Sequence, residues 1–233
     1  MDFSGRHVVV TGGTGALGIA VVGALIEAGA QCHVPYRKSE DAERFPHRKS
    51  KQVAIYPGTE LGDEAAVATL FASLPGLWAS IHLAGGFVMK PIVETTKTDF
   101  MGQIETNLAS CFVCCRAAVI AMDKSRNGGR IVNVTARPAL EPRTGAGMTA
   151  YTASKAGVAA FTMALAEEVA KDGILVNAVA PSIMDTPANR KAMPKADISL
   201  WPKVDEVAAT ILFLASPGNT VTRGAIVPVY GKS

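Results

Sequence analysis

Charge is scarce in this chain. Charged residues make up 18% of its 233 positions, and the formal net charge is +3. The most basic stretch, residues 44–51, reads as a solvated helix end, and no dense Lys/Arg run is present. A nucleic-acid partner is therefore not expected. The N-terminus lacks a leader pattern, since strand-like residues begin at His7, and a cytoplasmic protein is the expectation. Long apolar runs are missing too. The most apolar stretch, residues 108–122, is interrupted by Arg116 and reads as too short to cross a bilayer, so no membrane partner is expected. Cysteine is limited to Cys32, Cys111, Cys114 and Cys115. Cys111 and Cys114 form a CxxC without a second pair or a His cluster beside them. No metal is expected, and the thiols read as buried and free. Repeats, low-complexity tracts and Pro/Gly linkers are absent, so residues 1–233 read as one domain.

What the chain does have is apolar sequence, 48% of it, arranged in alternating periods. A chain of this length can bury roughly 70–75% of its unfolded surface. Strands are predicted over 7–11, 31–35, 52–56, 80–84, 130–134, 174–179 and 225–229. Helices are predicted over 15–28, 63–73, 101–122, 151–171 and 203–215. This alternation predicts an α/β fold, a doubly wound parallel sheet of about seven strands with right-handed crossovers and helices on both faces. Two segments, 136–150 and 181–201, break the rhythm with Pro, Gly and charges after strand ends. Ligands of open α/β sheets bind outside those ends, so both segments read as substrate-side loops, the second as a lid. The cations Arg137, Arg143, Arg190 and Lys191 fall in them. They fit an anionic or strongly polar substrate and solvated loops equally well.

Two motifs carry chemistry. Thr11-Gly-Gly-Thr-Gly-Ala-Leu-Gly18 contains Gly13-x-Gly15-x-x-Gly18 between a predicted strand and a predicted helix. Glycines there permit a tight turn and close backbone approach to a pyrophosphate, and the helix N-terminus supplies free N–H groups. Tyr151 and Lys155 are four residues apart in Tyr-Thr-Ala-Ser-Lys, on one face of a helix. A nearby ammonium favours phenolate and so predicts a lowered Tyr151 pKa, useful for proton transfer. At the end of the second strand, Pro35-Tyr36-Arg37-Lys38 has no acid until Glu40. Arg37 can grip a 2′-phosphate bidentately with Lys38 adding charge, which favours NADP(H) over NAD(H).

Together these residues resemble the short-chain dehydrogenase/reductase family over almost the whole chain. The resemblance implies a Rossmann-type sheet and a small-molecule substrate reduced or oxidised by hydride transfer. It implies a catalytic group of Tyr151, Lys155 and Asn107, with Tyr151 donating a proton, Lys155 holding the nicotinamide ribose and Asn107 anchoring a water. It places the cofactor against Gly12, Thr14, Gly15, Ala16, Leu17 and Gly18, and against Tyr36, Arg37 and Lys38. Glu60 and Leu61 stand where the family often has an adenine-binding Asp. Leu83-Ala84-Gly85-Gly86 resembles its Asn-Ala-Gly turn, and Pro181, Ile183 and Thr186 its nicotinamide segment. In that family the helices bearing Asn107 and Tyr151 pair across subunits, which implies a homodimer or homotetramer.

One departure stands out. The family's catalytic Ser falls at Ala136, in Asn133-Val134-Thr135-Ala136. Thr135 is a substitute only if it faces the site, which strand alternation opposes; Thr144 and Thr149 are others. Losing that donor points to an acceptor that needs less carbonyl activation. Dihydropteridine reductases, an offshoot of the family, are similar in having Ala there. They also share the Gly15–Gly18 turn, the Ala84-Gly85-Gly86-Phe87 turn and the lid sequence Asp185 to Trp201, so a quinonoid pterin is the alternative substrate. Two rival readings remain: a catalytically weak NADP-binding sensor or scaffold, and a sugar-nucleotide epimerase.

Overall fold

The computed structural model describes residues 1–125 and 128–233. The chain opens with β1 (His7–Thr11), α1 (Ala16–Glu27), β2 (Gln31–Pro35), α2 (Ser39–Arg44), β3 (Val53–Tyr56), α3 (Glu64–Ala72) and β4 (Ala79–His82). Next come α4 (Lys97–Gln103), a π-helical turn at Ile104–Ala109, α5 (Ser110–Ser125), β5 (Gly129–Val134) and α6 (Arg137–Leu140). The rest is α7 (Thr149–Glu168), β6 (Ile174–Pro181), α8 (Pro187–Ala192), α9 (Val204–Ala215) and β7 (Ile226–Val229). Among the described residues one sheet of seven strands forms, in the order β3-β2-β1-β4-β5-β6-β7, and every pairing is parallel. The doubly wound expectation holds. The order reverses between β1 and β4, which opens a crevice at their carboxyl ends.

The central strand β1 carries an unbroken apolar run, Val8-Val9-Val10, because both of its faces are covered. Val8 and Val10 of β1 pack into one core cluster with Val21, Leu25, Ile211 and Leu214 of α1 and α9. Val9, pointing the other way, joins Val67 of α3, Cys114 and Ala118 of α5 and Val158 of α7. Asp63 starts α3 by accepting from the Ala65 and Ala66 amides at 2.8 and 3.2 Å, which places it outside the helix predicted to include it.

The largest difference from the sequence reading lies in the predicted helix 101–122. It begins at Lys97, where Thr96 and Asp99 form a capping box, and it is interrupted by the π turn. The helical run Lys97–Met122 is long and apolar enough to span a bilayer by length and composition, contrary to the expectation from residues 108–122. Its side chains Cys114, Cys115 and Ala118 are instead buried in the second core cluster beneath the sheet. Three short helices, α2, α6 and α8, lie in segments too short for periodicity to declare them.

A partly buried polar chain centred on His33 crosses the three strands β1, β2 and β3. His7 Nδ1 meets His33 Nε2 at 2.9 Å, and His33 Nδ1 meets the Tyr56 hydroxyl at 2.8 Å. Burial, assisted by His7, pushes the His33 pKa from 6.5 down to about 4. The unfolded chain binds this proton at a higher pH than the folded one. The stability supplied by neutral His33 is therefore complete above pH 6.5 and is lost as pH falls from there toward 4. Urea unfolding at pH 7 and pH 5 should differ by about 2 kcal/mol. A His33→Phe variant should flatten that dependence, and an unchanged slope would refute the assignment.

Candidate active site

At the switch point the first turn is held by contacts rather than by rigidity of its own. Gly12 has φ +67°, and a Cβ there would lie 2.7 Å from the Ala84 amide nitrogen. Thr11 accepts from the Leu83 amide at its carbonyl (3.1 Å) and from the Ala84 amide at its hydroxyl (3.4 Å). The turns after β1 and β4 are thereby pressed together. Gly18 is buried inside α1, where Ala would normally be preferred, yet a Cβ there would meet the Gly12 carbonyl oxygen at 2.2 Å. Gly18→Ala should therefore destabilise the fold by about 1–3 kcal/mol despite the better helix propensity. Urea unfolding checks this, and a variant as stable as the parent would mean the turn yields freely. Helix α1 follows Gly15 at its N-cap, with no side-chain cap and no acid in its first turn. Its first amides are left for an external anion.

The second turn leads to Asn107, which sits in the π segment and is buried. Its Oδ1 accepts from the Gly86 amide at 2.9 Å, and its Nδ2 donates to the Gly86 carbonyl at 3.0 Å and to Ser154 Oγ at 3.1 Å. Ser154 Oγ in turn donates to the Tyr151 carbonyl at 2.7 Å. A π insertion re-aims one side chain without ending the helix, and here that side chain clasps the β4 turn to α7. Gly85 stays bare because a Cβ would stand 2.7 Å from Asn107 Oδ1 and 3.5 Å from Lys155 Nζ.

Lys155 is buried and donates from Nζ to the Val134 carbonyl at the end of β5 at 2.8 Å. Burial lowers its pKa to about 8. The Tyr151 ring packs edge-on against Phe87, centroids 5.0 Å apart. Burial pushes the Tyr151 phenol up to about 12. This corrects the lowering predicted from the i, i+4 spacing: desolvation sets the direction, and the ammonium's hydrogen bond goes to Val134. The result is a phenol that stays protonated through the neutral range.

Thr135 is not a replacement for the missing serine. Its buried hydroxyl donates to the Lys155 carbonyl at 2.6 Å, on the α7 side of the sheet. Thr144 donates to the Glu141 carbonyl at 2.8 Å, and Thr149 is exposed. Ala136 itself is buried with extended backbone (φ −159°, ψ 161°) at the start of α6.

A Gly-rich turn on an uncapped helix, an Asn in a π segment and a Tyr-x-x-x-Lys pair thus meet at the carboxyl ends of β1, β4 and β5. Residues 6–197 match the family described as short chain dehydrogenase. The chain belongs to the short-chain dehydrogenase/reductase family. It is 33% identical to galactitol 2-dehydrogenase of Rhizobium johnstonii, covering 97% of this chain and 93% of that one. It is 30% identical to the 3-oxoacyl-acyl-carrier-protein reductase FabG of Pseudomonas aeruginosa, over 99% and 98% of the two chains. Among solved structures, gox2181 superposes with a TM-score of 0.90 at 28% identity, covering 98% of this chain and 95% of that chain. ElxO with NADP bound gives 0.87 at 26% identity over 97% of each. A Tyr-to-Phe form of ElxO with NADPH bound gives 0.86 at 25% identity over 96% of each. None of the relatives named here is a dihydropteridine reductase, so that narrower likeness rests on the sequence motifs.

Within this short-chain dehydrogenase/reductase the remaining motif residues differ in exposure and surroundings. Gly12 and Thr14 are half-buried and Gly15 and Ala16 exposed, but the Leu17 side chain points into the core. Tyr36, Arg37 and Lys38 follow β2, with Arg37 and Lys38 exposed. Arg37 Nε lies 3.7 Å from Glu60 Oε1, an ion pair the sequence did not announce. Leu61 packs against the second core cluster. Pro181 ends β6, Ile183 is exposed, and the buried Thr186 caps α8 by accepting from the Asn189 amide at 3.2 Å. One site neighbour and one pairing escaped the sequence reading. Ser154 gave no signal beyond lying between Tyr151 and Lys155. The Arg137 guanidinium lies 4.9 Å over the Tyr230 ring and donates from Nε to Glu141 at 2.8 Å, a pairing that needs the C-terminus beside α6.

Proposed function

We propose that this protein is an NADP(H)-dependent oxidoreductase that reduces a carbonyl or quinonoid small molecule, with Tyr151 as proton donor. The observation that carries the reading is the joined network from the Gly12 turn through Ala84 and Gly86 to Asn107, Ser154 and Tyr151, with Lys155 beside it. The uncapped start of α1 and the exposed Gly15 and Ala16 suit a pyrophosphate. Arg37 and Lys38 suit a 2′-phosphate, and Pro181, Ile183 and Thr186 flank the place for a nicotinamide. Such a cofactor supplies a hydride when bound.

The chain's own residues do the rest. Tyr151, kept protonated by burial, gives its phenolic proton to the atom on which negative charge develops. Lys155 favours the resulting phenolate and would hold the nicotinamide ribose. The Asn107 side chain is fully engaged with Gly86 and Ser154, so its role is to position the β4 turn and α7. A proton-relay water would have to use its main-chain carbonyl. With Ala136 offering no hydroxyl, the favoured substrates are acceptors already prone to take a hydride. Phe87, edge-on to Tyr151 and 59% exposed, and Ile183, 46% exposed, give the cleft apolar surface suited to a planar ring. Apolar surface on α5 and α7, with Phe112 and Met163 exposed, supports pairing of two copies through these helices.

A panel of ketones, quinones and quinonoid pterins, each run with NADPH and NADH, tests this reading. Oxidation of neither cofactor with any acceptor would favour the binding-scaffold alternative. Arg37→Ala should raise the KM for NADPH about tenfold and leave that for NADH unchanged, because one charged contact is removed. An equal effect on both cofactors would remove the argument for NADP(H).

A further inference from the structure

The sequence places no histidine near the cysteine pair, but the fold does. His82, the last residue of β4, faces Cys111 and Cys115, which lie one turn apart on the same face of α5. One donor atom from each lies within 4.8 Å of the others, and all three side chains are buried. Cys115 Sγ is 3.3 Å from His82 Nδ1. Cys114, the CxxC partner of Cys111, is not part of this cluster.

We propose that His82, Cys111 and Cys115 bind one thiophilic d10 cation of the Cu(I) class. Around a three-coordinate ion with bonds of about 2.0–2.3 Å, the donor atoms stand roughly 3.5–4 Å apart, so small side-chain rotations close the site. Two thiolates and an imidazole are the soft donors that select such an ion. Three donors satisfy Cu(I), whereas a structural zinc site takes four. The imidazole is already oriented from behind, its Nε2 2.7 Å from Ser80 Oγ. Nδ1 now lies 2.8 Å from Asn133 Oδ1. On loading, the imidazole proton is carried on Nε2 against Ser80, Nδ1 takes the metal, and the two thiol protons leave to solvent. The complex with a monovalent ion has one net negative charge, which the electrostatic interaction between Lys155 and Cys111 opposes. No electron is transferred.

The test is an anaerobic titration of reduced protein with Cu(I) held by a chromophoric chelator. Wild type should withdraw one equivalent. Cys111→Ser and Cys115→Ser should each weaken binding at least a hundredfold, and Ser80→Ala about 10–100-fold. Cys32→Ser and Cys114→Ser should bind as wild type does. No withdrawal by wild type, or equal withdrawal by the Cys111 and Cys115 variants, overturns the proposal. Should those variants fail to fold by circular dichroism, X-ray absorption of the wild-type copper complex decides. Two sulfurs and one nitrogen support the site, and any other first shell overturns it.

Discussion

Replacing Tyr151 by Phe should lower kcat by about 10²–10⁴ and leave NADPH affinity unchanged. The substitution removes one oxygen and keeps the ring, so the edge-on contact with Phe87 at 5.0 Å survives. The Ser154 bond survives as well, because it reaches the main-chain carbonyl of residue 151 and not the phenol. What disappears is the proposed proton donor, which desolvation holds in its protonated form. ElxO offers a precedent for the binding half, since its Tyr-to-Phe form was solved with NADPH bound. Steady-state NADPH consumption gives the first quantity and fluorescence titration of NADPH the second. Turnover within a few-fold of wild type would end the assignment of Tyr151. Loss of both together would make it structural.

Ala136→Ser should raise kcat/KM for an ordinary ketone on the order of a hundredfold, and change little for a quinonoid acceptor. The reason is differential. A hydroxyl donor helps only where negative charge grows on a carbonyl oxygen in the transition state. Neither Thr135 nor Thr144 fills that place, since the first is committed to the Lys155 carbonyl and the second to the Glu141 carbonyl. Position 136 has extended backbone, and alternation turns its Cβ away from the Thr135 side. Measuring both acceptors on both proteins separates the cases. An equal gain for each, or none for the ketone, would mean that Ala136 says nothing about the substrate.

Much of this architecture was legible because its signals are local. Val8, Val9 and Val10 are apolar without alternation, which only a strand covered on both faces tolerates, and β5 and β6 repeat the pattern. Tyr151 and Lys155 declare themselves by helical spacing. The π turn at Ile104–Ala109 was not legible, because its residues would continue an α-helix equally well. It is the three hydrogen bonds from Asn107 to Gly86 and Ser154 that make the insertion worthwhile. Arg37 was legible as a cation at the right strand end, but not its pairing with Glu60, which requires β2 and β3 side by side.

The sequence by itself determined the order of the seven strands and the longer helices, the glycine turn and the identity of the groups proposed to act on a substrate. Backbone sterics and hydrophobic periodicity act over a few residues, so a string of letters carries them. Tertiary structure alone decided the state of those groups. It raised the Tyr151 pKa where spacing argued for lowering it, committed the Thr135 hydroxyl to the Lys155 carbonyl, and brought His82 to Cys111 and Cys115. Desolvation and hydrogen-bond partners depend on what the fold packs beside a residue, and those neighbours lie tens of positions away in the chain.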